Sequence, residues 1–342
     1  MTSQTHMRRE ILEIPDAVAT LLTRGAPEVR AAARALQDAD PAFLISVARG
    51  SSDHAATYFK YATELVAGIP VASVGPSVTS IYGRNLRLSR GACLAISQSG
   101  KSPDIVRMAE MATAQGAVSI ALTNHINSDL AGVSTHAVNL HAGVEHSVAA
   151  TKTFVTSAVS AIWLMAEWQQ DHALLRALHD LPQVLKKAAH MDWSILEDEI
   201  VSSRSLFCLG RGPALAIANE AALKFKETCQ LHAESYSSAE VLHGPVSIIE
   251  RGFPVIALAA ADQAEAWLVD VADQLAAKGA HAFVTSDKTA LARALPCART
   301  SHLLLDPLAL IVSFYAMVEQ VARARGINPD APRHLRKVTE TL

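Results

Sequence analysis

An α/β fold made of two tandem domains, each a parallel sheet flanked by helices, is predicted by three observations. Apolar runs of strand length alternate with amphipathic helical stretches, which is the pattern of a parallel sheet covered on both faces. The second half of the chain repeats the first at a constant interval. Half of the 342 residues are hydrophobic and 18% are charged, enough apolar material for large cores in a chain longer than the ~100–200 residues of one ordinary domain.

Residues 8–40 read as two helices ahead of the first strand. The strand-length runs follow at 43–48, 93–97, 118–123 and 137–140, then at 206–209, 255–260 and 281–285. The repeat shows at three junctions with one spacing: Arg49-Gly50 recurs as Arg211-Gly212, ACLAISQ beginning at Ala92 as PVIALAA beginning at Pro254, and VSIALTN beginning at Val118 as AHAFVTS beginning at Ala280. Three unrelated junctions in one register imply a duplication, with the boundary between Leu181-Pro182 and Trp193. The expected organisation is N-terminal helices over 1–40, a first domain over 41–185, a second over 194–327, and a Pro-containing C-terminal arm over 328–342.

A net charge of −3 without a dense Lys/Arg block excludes the electrostatic footprint of a nucleic-acid binder. Cys93, Cys208, Cys229 and Cys297 are scattered, with no CxxC pair, so no disulfide framework or zinc ribbon is expected and a reducing cytoplasm fits. The N-terminus lacks the apolar centre of a signal peptide. The most apolar helical stretch, 154–166, is shorter than the ~20 residues of a membrane span. The chain reads as cytoplasmic, with a small-molecule substrate and no membrane or nucleic-acid partner.

In open parallel sheets ligands bind beyond the carboxyl ends of strands, where helix N-termini offer free N–H groups to anions. Two hydroxyl-rich turns fall there: Arg49-Gly50-Ser51-Ser52-Asp53, and Gln98-Ser99-Gly100-Lys101-Ser102-Pro103 after Ser97. Their hydroxyls and amides suit a phosphate, or else merely cap the following helices. Neither a Walker loop nor GxGxxG is present, so a phosphorylated small molecule is the open reading. His136, His141 and His146 lie five apart and share no face, so no metal site is expected. The segment 141–153 sets Glu145, His146, Thr151, Lys152 and Thr153 at another turn.

The second half carries the densest signal. Glu220, Lys224 and Glu227 form one stripe on a helix, followed by HAESYSSAEVLHGP with His243. Such a stripe is ordinarily a solvated, salt-bridged face. A carboxylate beside a lysine and a histidine is also the equipment for moving a proton between adjacent sugar carbons.

At these motifs the chain resembles the double sugar isomerase (SIS) family, and specifically the isomerase half of glutamine–fructose-6-phosphate aminotransferase. SSDHAA, ISQSGKSPD, VEHSVAATKTFV, LGRGPALAIANEAALKFKE, HAESYSSAEVLHGP and APRHLRKVTE carry the resemblance in order from about residue 40 to the end. It implies two tandem SIS domains, each a flavodoxin-like three-layer sandwich. Ser97, Gln98, Ser99 and Ser102 would bind the sugar phosphate, and Ser51 and Ser52 would line the sugar. Glu227 would shuttle the proton between C1 and C2, with Lys224 one turn before it. His243, supplied by the neighbouring subunit of a homodimer, would assist ring opening, and Lys337 would contact the open-chain sugar. No cofactor is implied. The family's VASTK stretch reads Val148-Ala149-Ala150-Thr151-Lys152, so Ala150 replaces a sugar-contacting serine and leaves that contact to backbone or Thr151.

With MTSQTHMRRE ahead of the first motif, the glutaminase domain of the aminotransferase is expected to be lacking. The reaction is therefore expected to run toward ammonia release, as in the stand-alone second type of glucosamine-6-phosphate deaminase. A deglycase acting on phosphorylated fructose–amino-acid adducts and a galactosamine-6-phosphate deaminase share the same phosphate grip and proton shuttle. A non-catalytic sugar-phosphate sensor is the reading from a different class.

Overall fold

The computed structural model describes residues 4–337. Two helices come first, α1 (His6–Arg24) and α2 (Ala26–Ala39). The first repeat runs β1 (Phe43–Val47), α3 (Ser51–Val66), β2 (Val71–Ser73), α4 (Ser77–Ser80), β3 (Gly91–Ile96), α5 (Pro103–Ala114), β4 (Val118–Thr123), α6 (Asp129–Val133), β5 (His136–Asn139) and α7 (Lys152–Trp168). After α8 (His172–Ala188) and α9 (Ile195–Val201), the second repeat runs β6 (Ser205–Gly210), α10 (Pro213–Cys229), β7 (His232–Ser237), β8 (Pro254–Ala257), α11 (Glu265–Ala277), β9 (His281–Val284), β10 (Arg293–Ala294) and α12 (Asp306–Ala324). Short 3-10 helices occupy Glu240–Leu242 and Pro245–Ile248.

Each repeat forms a five-stranded sheet, ordered β2-β1-β3-β4-β5 in the first and β10-β9-β8-β6-β7 in the second. Every pairing is parallel. Read from its own first strand, each sheet has the order 2-1-3-4-5, so the direction of winding reverses between β1 and β3 and between β6 and β8. Those reversals open a crevice at the strands' carboxyl ends. The duplication extends to the backbone: Gly50 before α3 has φ 54° and ψ −133°, and Gly212 before α10 has φ 56° and ψ −136°. A side chain rarely adopts that conformation, which explains why both turns carry glycine.

Packing divides the chain into two units, one comprising 16–145 and 152–179, the other 4–15, 146–151 and 180–337. Pro182 lies inside α8 rather than in a linker. In the first unit Ile45, Val47, Cys93, Ala95, Met108 and Ala121 pack on one face of the sheet, and α7 is buried on nearly every side, as a helix apolar all round must be. In the second, Phe207, Leu209, Val255, Ala257, Leu268 and Val284 form the corresponding core. Among the described residues no helix is long and apolar enough to cross a membrane.

All seven apolar runs are strands, and three further strands escape the sequence pattern. β2, β7 and β10 lie at sheet edges; β2 and β10 are only 3 and 2 residues long, and β7 is half-exposed along most of its length. An edge strand does not need a continuous apolar run.

Phe207 ties the second sheet together, with ring centroids 5.1 Å from Tyr236 on β7 and 4.9 Å from Phe253 beside β8. Phe207→Ala should cost about 3–5 kcal/mol, read as a lowered urea midpoint in far-UV circular dichroism.

Candidate active site

In the first unit the two hydroxyl-rich turns meet at the β1/β3 reversal. Arg49, just beyond β1, donates from Nε to Asp104 Oδ2 at 2.6 Å and reaches the same oxygen from Nη2 at 2.5 Å. Asp104 is fully buried in the first turn of α5. A charge-assisted pair of this kind fixes both turns. Within the second turn, Gly100 N–H donates to Ser97 Oγ at 3.2 Å and Lys101 N–H to Ser99 Oγ at 3.3 Å. The Gln98 carbonyl accepts from Asn124 N–H and Thr123 Oγ1.

Gly100 has φ +64°, and a Cβ there would stand 2.0 Å from Ser128 Oγ, so the turn is closed to any side chain. Ser102 occupies the N-cap of α5, but its hydroxyl makes no capping hydrogen bond. A purely structural capping role therefore does not describe Ser102. Ser51 and Ser52 open α3 and are half-buried. Burial pushes the neighbouring Asp53 carboxyl up, against the opposing charges of His54 and Arg49.

In the second unit α10 does not carry a solvated stripe. Glu220 and Lys224 have no exposed side-chain surface, while Glu227 retains 21%. Lys224 Nζ lies 3.2 Å from Glu220 Oε1 and donates to Glu227 Oε2 at 2.5 Å. Tyr315 Oη on α12 donates to Glu220 Oε1 at 3.0 Å. Burial alone would strip the lysine of its proton; the carboxylates of Glu220 and Glu227 outweigh it and hold the ammonium above its ordinary range. Glu227 is the one member of this set that reaches the surface.

Lys337 lies in the same unit, where its Nζ donates to the Ser147 carbonyl at 2.6 Å. It therefore meets the 146–151 segment, which carries half-buried Ala150 and buried Thr151. Residues 338–342 of the expected arm fall outside the described residues. His243 follows the 240–242 turn and is exposed, its backbone N–H donating to the Glu240 carbonyl at 2.9 Å. The structure thus joins Lys224 to Glu227, joins Lys337 to the 146–151 segment, and gathers Ser97, Gln98, Ser99 and Ser102 in one turn. His243 stands on a separate segment.

The SIS domain matches this chain twice, over residues 35–167 and 199–322. The chain belongs to the SIS domain family. A candidate phosphosugar isomerase from Silicibacter pomeroyi is 59% identical, with a TM-score of 0.93 over 96% of this chain and 100% of its own. The glutamine–fructose-6-phosphate aminotransferase of Sulfolobus acidocaldarius is 30% identical across 86% of this chain and 49% of its own length. The chain spans about half the length of the curated relatives it matches. The C-terminal domain of the Francisella tularensis glucosamine–fructose-6-phosphate aminotransferase shares the fold, with a TM-score of 0.87 at 24% identity over 96% of this chain and 99% of its own.

The two SIS repeats have diverged at their reversals. Where the first has Ser97 to Ser102, the second has Ala259-Ala260-Ala261-Asp262-Gln263-Ala264. There the Ala261 N–H donates to the Asp306 carboxylate at 2.9 Å and the Ala264 N–H to Asp262 at 2.8 Å. These two amides are bound to carboxylates, whereas the Gly100 and Lys101 amides of the first repeat are bound to serine hydroxyls. Asp104 and Tyr315 also escaped the sequence reading; a lone tyrosine in an apolar helix carries no signal of its partner.

Because its folded-state value is raised, the stability contributed by the Lys224 ammonium is complete below the ordinary lysine range and is lost as pH rises through the raised value. Urea midpoints should hold in this respect from neutrality to about pH 10 and fall above it. Lys224→Met leaves the buried Glu220 carboxylate without its cation and should cost about 3–5 kcal/mol in urea unfolding at pH 7.

Proposed function

We propose that this SIS protein isomerises an amino-sugar phosphate between its aldose and ketose forms and releases ammonia, acting as a glucosamine-6-phosphate deaminase. The observation that carries the reading is the Lys224–Glu227 pair: a carboxylate open at the surface, hydrogen-bonded to an ammonium that cannot leave. Such a carboxylate accepts a proton from carbon and returns it to the neighbouring carbon, while the adjacent cation steadies the negative charge that develops on the substrate. A sensor needs only to bind its sugar phosphate, and a surface carboxylate backed by a buried ammonium adds nothing to binding.

The residues take these roles. The Ser97–Gln98–Ser99 turn and Ser102 receive the 6-phosphate through hydroxyls and amides at the N-terminus of α5, with Ser51 and Ser52 along the sugar. Ala150 and Thr151 offer backbone and hydroxyl contacts, and Lys337 contacts the open chain. After ring opening, Glu227 removes the proton at C2 and delivers it to C1. The C2 enolamine becomes a ketimine, which water hydrolyses to fructose 6-phosphate and ammonium. The imine carbon gains the oxygen of water, nitrogen leaves, and no redox change occurs.

His243 would assist ring opening from a second copy of the chain in a homodimer. Its exposure, with exposed Leu242 and Ile248 beside it, supports that placement.

Purified protein given glucosamine 6-phosphate should release ammonia and fructose 6-phosphate in equal amounts. Isomerisation of sugar phosphates without ammonia would keep the proton shuttle and refute the deaminase. Turnover confined to galactosamine 6-phosphate or to a fructosamine 6-phosphate adduct would move the specificity. Glu227→Gln should keep the fold and KM while kcat falls by about 10²–10⁴-fold. Mixing inactive His243→Ala with inactive Glu227→Gln should restore turnover, because a mixed dimer rebuilds one intact site; without restoration the placement of His243 across subunits fails.

A further inference from the structure

The N-terminal helix contributes a carboxylate to the segment that holds Lys337. Glu10, in the second turn of α1 and with only 2% of its surface exposed, accepts the His146 N–H at Oε1 and the Ser147 N–H at both oxygens, 3.3 Å to Oε1 and 3.2 Å to Oε2. Two successive amides converging on one carboxylate form an anion-binding concavity of the backbone, here filled from within the chain. Ser147 is itself fully buried. On its other side the Ser147 carbonyl accepts from Lys337 Nζ at 2.6 Å. One residue is therefore gripped by a carboxylate at its N–H and by an ammonium at its C=O, so both of its backbone torsions are fixed by charge-assisted bonds.

The helix that carries Glu10 is anchored independently. Thr5 caps it by accepting the Arg8 N–H at 3.0 Å, and its hydroxyl donates to the buried Glu319 of α12 at 2.8 Å. Asp330, early in the C-terminal arm, accepts the His6 and Met7 amides at 2.8 Å each. Met7, Ile11 and Ile14 have no exposed surface. The carboxylate is thus held on a rigid support at one end while the arm bearing Lys337 is tied to the same support at the other.

We propose that Glu10 is a positioning residue for Lys337: by fixing the backbone at Ser147 it places the carbonyl that aims the lysine ammonium. The catalytic consequence rests on the role given to Lys337 above; the structural consequence does not. Phosphate binding belongs to the first SIS repeat, so loss of Glu10 acts on the step that needs the lysine rather than on substrate capture.

The test uses Glu10→Gln, which keeps the side chain's shape but removes its charge, and Glu10→Ala. Three readouts are taken on the full chain: amide hydrogen exchange by residue segment, the rate at which an amine-acylating reagent labels Lys337 by mass spectrometry, and KM against kcat. Exchange over residues 146–151 should accelerate by about tenfold or more, with the β6–β9 strands unchanged, and Lys337 labelling should rise. With an active substrate, kcat should drop by an order of 100-fold while KM stays near its wild-type value. Unchanged exchange and labelling in both folded variants would overturn the clamp. Faster exchange and labelling with kcat untouched would overturn the link to the reaction. If wild-type protein turns over no sugar phosphate, the functional reading fails, and exchange and labelling still decide whether Glu10 places Lys337. Should Glu10→Ala not fold, Glu10→Gln alone carries all three measurements.

Discussion

A lysine ammonium without exposed surface has to be neutralised where it lies, and the second SIS repeat is built around meeting that demand at Lys224. Helical spacing puts Glu220 one turn before it and Glu227 just under one turn after it. Two carboxylates on one ammonium leave an excess negative charge, and the Tyr315 hydroxyl shares the load at Glu220. The requirement therefore reaches from α10 into α12, a helix otherwise buried for apolar reasons. Buried ion pairs contribute little net stability, because desolvation cancels much of the attraction. A packed apolar trio in the same place would fold as well. What the apolar trio cannot supply is a partly open carboxylate with a cation locked beside it, and that is the feature a proton shuttle needs.

The duplication makes this division of labour visible. Both repeats keep the winding order, the reversal, and the glycine that turns the first strand into its helix. The first kept serine hydroxyls ahead of α5, with Ser102 at the N-cap making no capping bond. The second filled the matching amides with Asp306 and Asp262 and set Arg299 against Asp306 at 2.7 Å. Three carboxylates, counting Glu265 at 3.6 Å from Arg299, make that crevice unfavourable for another anion. Its helix after the first strand acquired the charged triad instead. The two matching crevices have thus diverged, one lined by serine hydroxyls and the other filled by a carboxylate–arginine cluster.

Sequence periodicity was sufficient wherever burial was complete on both faces. Central strands such as β3 and β4 are continuous apolar runs and were legible, whereas β7, reading His-Ala-Glu-Ser-Tyr-Ser, is stabilised by pairing along all of β6 rather than by its own composition. The same limit governed the site. The spacing of Glu220, Lys224 and Glu227 was evident, but whether the stripe faced water or core depended on α12, which lies about ninety positions further along. The hydroxyl turns were legible because strand, turn and helix are local. Arg49 with Asp104, Lys337 with Ser147 and Glu10 with Ser147 are 55, 190 and 137 residues apart, and pairs at such distances leave no periodic trace.

The long-range ties also explain why residues 146–151 pack with the second-repeat unit although both flanks belong to the first. Before the segment, Glu145 turns back to α7, accepting Thr153 N–H at 3.0 Å and Thr153 Oγ1 at 2.7 Å, and Lys152 donates to the Val144 carbonyl at 2.9 Å. These bonds close the base of a loop, so the six residues between are held by their flanks without being committed to them. Closing the base brings the ends of the loop together in advance, so ordering the tip no longer carries the closure cost. The tip is then free to be defined by charge: Glu10 at the amides and Lys337 at the carbonyl. With both peptide groups of Ser147 engaged, the backbone of the segment is specified from outside the loop, by side chains 137 and 190 residues away.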